Sequence, residues 1–377
     1  MKNLGLVCFM VALSLTSLHA QRSFVYTNDS VRPNTVSVFT VNADGSLSLI
    51  AGSPFLTGGN GGSGDVDPES ITTATIGRKN FLYAANGGDS TISAFFINRN
   101  TGGIELVAGS PFAAGNAGGR ATFSLATSPD GSLLFATDEV NTDIHVFRIS
   151  GATGALSEVA GSPFSTGALA EGLKVTANGQ FLLAGLKSAN AVGVFSISST
   201  GALTPVPGSP FAASGAAAAV TVNCAGTFAF VSDAGFSSVD AYAMAADGSL
   251  TPVAGSPFPS GGTSTINALT LTPNSNNLLT SDVFNSAVAS LAVAQDGSLQ
   301  PIAGSPFGAD DWVGSIATTR AGNFVYSSLI TEGSVDGWSI ASDGSLAPVP
   351  GRPFRTGQPG FGVQALTVFP PATCSLQ

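Results

Sequence analysis

Three charged side chains, Glu69, Arg120 and Glu171, are candidates for chemistry in a chain that carries few charges. Each falls in a connection after a recurring Gly-Ser-Pro-Phe phrase, and the longest of these connections adjoin one another. A guanidinium can hold a carboxylate bidentately or polarise a carbonyl, and a carboxylate can act as general base toward water. The trio is therefore the expected catalytic group, although the same residues also fit a rim of solvated ion pairs. Asn267 and Gln364 occupy the aligned position in two other repeats and are expected to hydrogen-bond a substrate. Asp311 and Trp312 join them as substrate-binding candidates, because an indole on a loop offers a flat apolar face with a polar edge.

Other patterns carry less. Gly59-Asn60-Gly61-Gly62-Ser63-Gly64 satisfies GxGxxG, yet Asp65-Val66-Asp67-Pro68 follows in place of a helix, so the phosphate-cradling context is missing. Asp65, Asp67 and Glu69 alternate as oxygen donors, but not at the spacing of an EF-hand loop. Two cysteines beyond the leader, Cys224 and Cys374, offer no CxxC or Cys/His ligand spacing. No metal and no cofactor are expected, and whether the two thiols pair is left open.

The elements that must position these residues are written in the repeat. Gly-Ser-Pro-Phe ends at Phe55, Phe112, Phe164, Phe211, Phe258 and Phe307, with Gly351-Arg352-Pro353-Phe354 as a seventh copy. The starting glycines lie 57, 52, 47, 47, 49 and 47 residues apart, the period of four-stranded propeller blades. The third repeat reads as strand A from Phe123 to Ser128, B from Leu133 to Thr137, C from Ile144 to Ile149 and D from Leu156 to Ala160. Pairs such as Asp44-Gly45, Thr101-Gly102 and Asp247-Gly248 supply the positive φ that tight hairpins need. Strand C repeats a large residue at one position, Phe39, Phe95, Phe147, Phe195, Tyr242, Leu291 and Trp338, as blade packing requires. Strand B ends on Asp29, Asn86, Asp138, Asp233 and Asp282, with Leu186 and Leu329 in the other two repeats. These polar ends are expected to bond the turns that follow them.

The chain ends predict how the ring closes. The first repeat begins with a strand B, Phe24 to Thr27, and the last segment, Val363 to Phe369, is a strand A without a blade. Pairing the two gives an all-β, seven-bladed propeller spanning residues 21–377, with the C-terminal strand completing the N-terminal blade and no open edge at the seam. Ahead of it, Lys2 and the apolar run from Leu4 to Leu18 predict a signal peptide over residues 1–20. That run is short for a membrane span, which needs about 20 residues, and no transmembrane segment is expected in the mature chain. The net charge of −10, from 13 Lys and Arg against 23 Asp and Glu, argues against nucleic acid as a partner. Charged residues make up 10% of the chain, against about 25% in an ordinary domain, while Gly reaches 47 and Phe 25.

Phe24-Val25-Tyr26-Thr27-Asn28 before Thr35-Val36-Ser37-Val38-Phe39, then Asp44-Gly45-Ser46-Leu47 and Gly52-Ser53-Pro54-Phe55, resembles the seven-bladed lactonase-like propellers. That family includes 6-phosphogluconolactonases and carboxymuconate cyclases and neighbours the surface-layer type repeats. The resemblance runs from Ser23 to Phe369 and rests on turns, strands and packing aromatics. It implies opening or closing of a lactone ring, for which the cyclising members look to use a histidine with arginine and glutamate. Beyond the leader the sequence keeps one histidine, His145, inside strand C of the third repeat, a position between blades and away from the channel mouth. No family catalytic residue is carried over to this chain. The expected protein is a secreted or periplasmic monomer that hydrolyses a small-molecule lactone or related carboxylic ester at the channel mouth. The alternative expectation is a non-catalytic propeller that binds a protein, peptide or glycan at the cell envelope.

Overall fold

The computed structural model describes residues 22–62, 70–115, 122–138, 140–358, 363, 365–372 and 374. The expected signal peptide lies outside these residues. Seven antiparallel sheets follow one another along the chain, and in blades 2 to 7 strands A to D run in sequence order from the inside of the ring outward. In blade 3 the strands are A Thr122–Thr127, B Leu133–Asp138, C Asp143–Ile149 and D Leu156–Glu158. Blade 1 is completed from the far end of the chain. Its strand A, Ala365–Phe369, pairs antiparallel with its strand B, Phe24–Asn28, in the register Phe24↔Phe369 to Asn28↔Ala365.

Each blade carries a two-residue fifth strand, and the Gly-Ser-Pro-Phe phrase explains it. In blade 1, strand D (Leu47–Leu49) covers one end of strand C (Thr35–Val41), and a short strand E (Phe55–Leu56) covers the other. The phrase is the break between D and E. Gly52 sits at φ +86°, the Ser53–Pro54 peptide is cis, and Ser53 Oγ accepts a 2.9 Å hydrogen bond from the backbone N–H of Val38, which the break would otherwise leave unpaired. Ser110, Ser162, Ser209, Ser256 and Ser305 make the same bond at 2.9–3.0 Å in the next five blades. The proline therefore occupies a gap in the outer ladder, where no N–H is needed. In blade 7 Arg352 replaces the serine; its guanidinium pairs with the buried Asp336 and lies 5.0 Å from the Trp338 ring centroid.

The apolar core is divided into seven layers, each shared by two neighbouring blades. Phe24, Tyr26, Val36 and Val38 of blade 1 pack on Ile71, Leu82, Ala84 and Phe95 of blade 2. The seam is built in the same way, with Val25, Phe39, Leu366 and Val368 of blade 1 against Phe324, Tyr326 and Val335 of blade 7. All seven strand C packing residues named above are buried. The C–D turns lock these layers. Gly102 of blade 2 sits at φ +76°, and a Cβ on it would come within 2.3 Å of the Phe24 ring in blade 1. The same glycine's carbonyl accepts a 2.8 Å bond from Tyr26 Oη. At the seam, Gly45 has the same relation to Phe324 and Tyr326.

Strand A lines a central channel. B–C turns and the connections into strand A open on one face of the ring; A–B and C–D turns open on the other. On the second face Cys224, in the A–B turn of blade 5, is joined by a disulfide to Cys374, beyond the last strand of blade 1. The bridge closes 150 residues of sequence. Such a bridge restricts the unfolded chain and typically contributes about 2–4 kcal/mol. Cys374→Ser is therefore expected to lower the thermal midpoint by several degrees, and reductant should lower the wild type but not the variant; equal midpoints for both proteins with and without reductant would refute a structural role for the bridge.

Candidate functional site

The first face holds Glu171, Asn267, Asp311 and Trp312, and a recurrent irregularity of strand A positions the first of them. In blades 3, 4, 5 and 7 the A–B register slips at the second and third residues of strand A, as between Ala170 and Leu173. A bulge of this kind turns a side chain away from the regular alternation. Its free N–H groups are taken by a hydroxyl near the end of strand B: Ser124 N donates to Thr137 Oγ1, Ala219 N to Ser232 Oγ and Ser315 N to Ser328 Oγ, at 2.8–2.9 Å. Ala268 N of blade 6 does the same with Ser281 Oγ. Blade 4 has Gly185 at that position, where a Cβ would meet the Ala218 carbonyl of blade 5 at 2.5 Å.

Glu171 is the bulged residue of blade 4. Its Oε1 lies 2.5 Å from Nζ of Lys187, which follows strand B of the same blade (Phe181–Leu186), and Lys187 N donates to the Leu169 carbonyl at 2.9 Å. Burial pushes the Glu171 carboxyl above the ordinary carboxylate range, and the Lys187 ammonium opposes that shift. Glu69, Arg120 and Gln364 lie outside the described residues. Asn267 is placed just before strand A of blade 6 (Leu269–Leu271), with its Oδ1 buried and without a hydrogen-bond partner.

Asp311 is bound up in its own loop. Its Oδ2 accepts from the backbone N–H of Thr331 at 2.8 Å and of Glu332 at 3.1 Å, and from the Thr331 hydroxyl. Trp312 is 41% exposed and meets Phe284, 55% exposed, edge to face with ring centroids 5.0 Å apart. Phe236 and Val140, at 67% and 64%, project from other B–C turns on the same face.

The strand B ends divide by partner. Asp138 and Asp233 accept from the N–H groups of their B–C turns, as the sequence suggested. Asp282 instead holds the connection into strand A through Thr263 N and Ser264 N, both at 3.0 Å. Asp29 is fully buried and accepts from the hydroxyls of Thr27, Thr35 and Ser37 at 2.6–2.7 Å. His145 is a blade residue: Nδ1 lies 2.7 Å from Glu158 Oε1 on strand D and Nε2 3.7 Å from Asp138 Oδ2. Among the described residues no group of three or more His, Cys, Asp or Glu could hold a metal ion.

Two features escaped the sequence. Lys187 stands one place beyond the strand B column of Asp29 and Asp138, where other repeats have Ser30, Gly87 and Ala234, so that column carried its signal. The second is a group of cations on the opposite face, drawn together from strand A and from two kinds of turn.

Residues 17–169 match the model of a family described as "Lactonase, 7-bladed beta-propeller". No curated protein matches the chain. Among solved structures, one from Bacteroides fragilis, described as a "putative 6-phosphogluconolactonase", has a TM-score of 0.72 at 17% identity and covers 93% of this chain and 99% of its own. A Lactobacillus plantarum protein has a TM-score of 0.70 at 14% identity, covering 93% and 100%. A periplasmic gluconolactonase of Pseudomonas aeruginosa has a TM-score of 0.61 at 20% identity, covering 76% and 84%. At these identities the structures show a shared fold, and the chain resembles the lactonase-like seven-bladed propellers.

Burial raises the Asp29 carboxyl to about 6 against the pull of its three hydroxyl donors. The unfolded chain releases this proton first as pH rises, so folding loses on the order of 3 kcal/mol from this group between about pH 4 and pH 6. In urea titrations the isosteric Asp29→Asn is expected to lose less stability than wild type between pH 4 and pH 7. An equal loss in both proteins would show that Asp29 is ionised in the fold without cost.

Proposed function

We propose that the protein is an exported hydrolase of lactones or related carboxylic esters, acting on a small molecule at the first face of the channel. The observation that carries this reading is Glu171, a carboxylate lifted by burial, set on a bulge at the start of an innermost strand and held by Lys187. The family match over residues 17–169 supports a lactone as the substrate class. Glu171 takes a proton from water as the water oxygen adds to the carbonyl carbon, and the tetrahedral adduct collapses with cleavage of the ring C–O bond. The proton then passes to the departing oxygen. Lys187 opposes the effect of burial on the carboxylate and fixes its direction. Arg120 is assigned the developing oxyanion and Glu69 a supporting carboxylate, both from sequence. Asn267 and Gln364 are assigned to substrate hydroxyls.

The exposed aromatic pair supports a second reading, a propeller that binds a glycan, peptide or protein through Trp312 and Phe284. Exposed aromatics on one loop-bearing face are the usual means of such recognition.

With a panel of aliphatic and sugar lactones, Glu171→Gln is expected to lower kcat/KM by about 10²- to 10⁴-fold. Lys187→Ala removes the charge that opposes the burial effect, so the acid limb of its rate profile should move to higher pH. Unchanged rates in Glu171→Gln, or wild-type rates no faster than buffer, would remove the hydrolase reading. Trp312→Ala should then be the variant that loses retention on a glycan or peptide array.

A further inference from the structure

The channel holds a cavity of about 730 Å³ that reaches the A–B turns of the second face, within the range of small-molecule sites. Four of the chain's 13 Lys and Arg line it. Lys174 comes from strand A of blade 4, Arg78 from the A–B turn of blade 2, Arg99 from the C–D turn of that blade and Arg320 from the A–B turn of blade 7. All four are exposed, and no Asp or Glu shares the lining among the described residues.

Cations elsewhere differ in their partners from the three arginines of the cavity. Arg32, Lys79 and Arg148 donate to backbone carbonyls, and Lys187, Arg352 and Arg355 pair with carboxylates. Arg78, Arg99 and Arg320 have neither kind of bond to any described residue. The acids of this face are engaged elsewhere: Asp44, Asp247, Asp296 and Asp343, in the C–D turns outside the cavity, each accept from the serine two residues on. Asp130 does likewise with Ser132. In a protein of net charge −10, like-charged side chains facing one cavity repel one another, and an anion between them relieves that repulsion.

The depth of the cavity adds a second kind of group. Strand A residues paired with Tyr83, Phe135, Leu183, Phe230, Leu279, Tyr326 and Tyr26 of strand B form one ring: Thr72, Ala126, Lys174, Thr221, Thr270, Ala317 and Thr367. Lys174 is the one charge in a ring otherwise of threonine and alanine. Across the mouth, Pro370, Pro371, Ala372 and Cys374 also line the cavity, tethered to blade 5 by the disulfide.

We propose that this cavity is a binding site for a small hydroxylated organic anion, separate from the site on the first face. Its carboxylate or phosphate group is met by Arg78, Arg99, Arg320 and Lys174, and its hydroxyls by the threonine ring.

Calorimetric titration at low ionic strength with glucuronate, glucose 6-phosphate and glucose tests this, since the three share a sugar ring and differ in charge. At least one anion is expected to bind and glucose not, with affinity falling as salt is added. Which anion binds tells carboxylate from phosphate. Arg320→Ala and Lys174→Ala should each weaken binding about tenfold or more. Arg148→Ala, a cation outside the cavity, and Glu171→Gln, on the other face, should leave it unchanged. If neither anion binds better than glucose, or if Arg148→Ala weakens binding as much as Arg320→Ala in proteins of equal thermal midpoint, the assignment fails whatever the lactone assays give.

Discussion

The structure depends on one constraint: a blade of this propeller cannot bury its faces alone. The apolar core is seven separate layers, and each layer draws its residues from two neighbouring blades. A linear stack of such blades would expose one apolar face at each end, so the ring must close. Closure uses the pairing of Ala365–Phe369 with Phe24–Asn28, and behind it the layer that joins Leu366 and Val368 to Phe324 and Tyr326. A C-terminal strand in an N-terminal blade ties the two ends of the chain into one cooperative unit.

The same constraint accounts for the composition. A C–D turn must fit against the phenylalanine that opens strand B of the preceding blade, and at Gly45 and Gly102 only a residue without a Cβ both adopts the turn and clears the ring. Phenylalanine at one position thus calls for glycine at another, five times around the ring, while Gly201 and Gly344 meet Leu133 and Asn277 in the same place. The Gly-Ser-Pro-Phe phrase has a similar economy, since its serine closes the hydrogen bond that its break opens. Few positions are left for charge. Some of that charge is absorbed locally, as Asp282 and Asp311 are, and some lines the channel.

Much of the architecture was legible because it is periodic. The spacing of the phrase predicts the blade number, the Asp-Gly and Thr-Gly pairs predict the hairpins, and the unpaired strands at the two ends predict the closure. The fifth strand was not legible: Phe55–Leu56 is too short to show a pattern, and its pairing with Thr35 and Val36 depends on where the break in strand D directs the chain. Glu171 could be placed on the first face by alignment, because the repeat fixes the start of strand A. Its partner Lys187 lies 16 residues on, and only the bulge at Glu171 and Gly172 brings the two together.

The sequence by itself determined the ring, its period and its closure, because burial of a repeated face on its neighbour is a local rule copied seven times. Tertiary structure decided what gathers at the ring's two mouths. Arg78, Arg99, Lys174 and Arg320 stand in three blades and in three kinds of position, so no spacing relates them. Cys224 and Cys374 meet because the last strand returns to blade 1 and leaves its tail directed across the channel toward blade 5. Distance along the chain says nothing about such groups, since a closed ring brings every blade to the same axis.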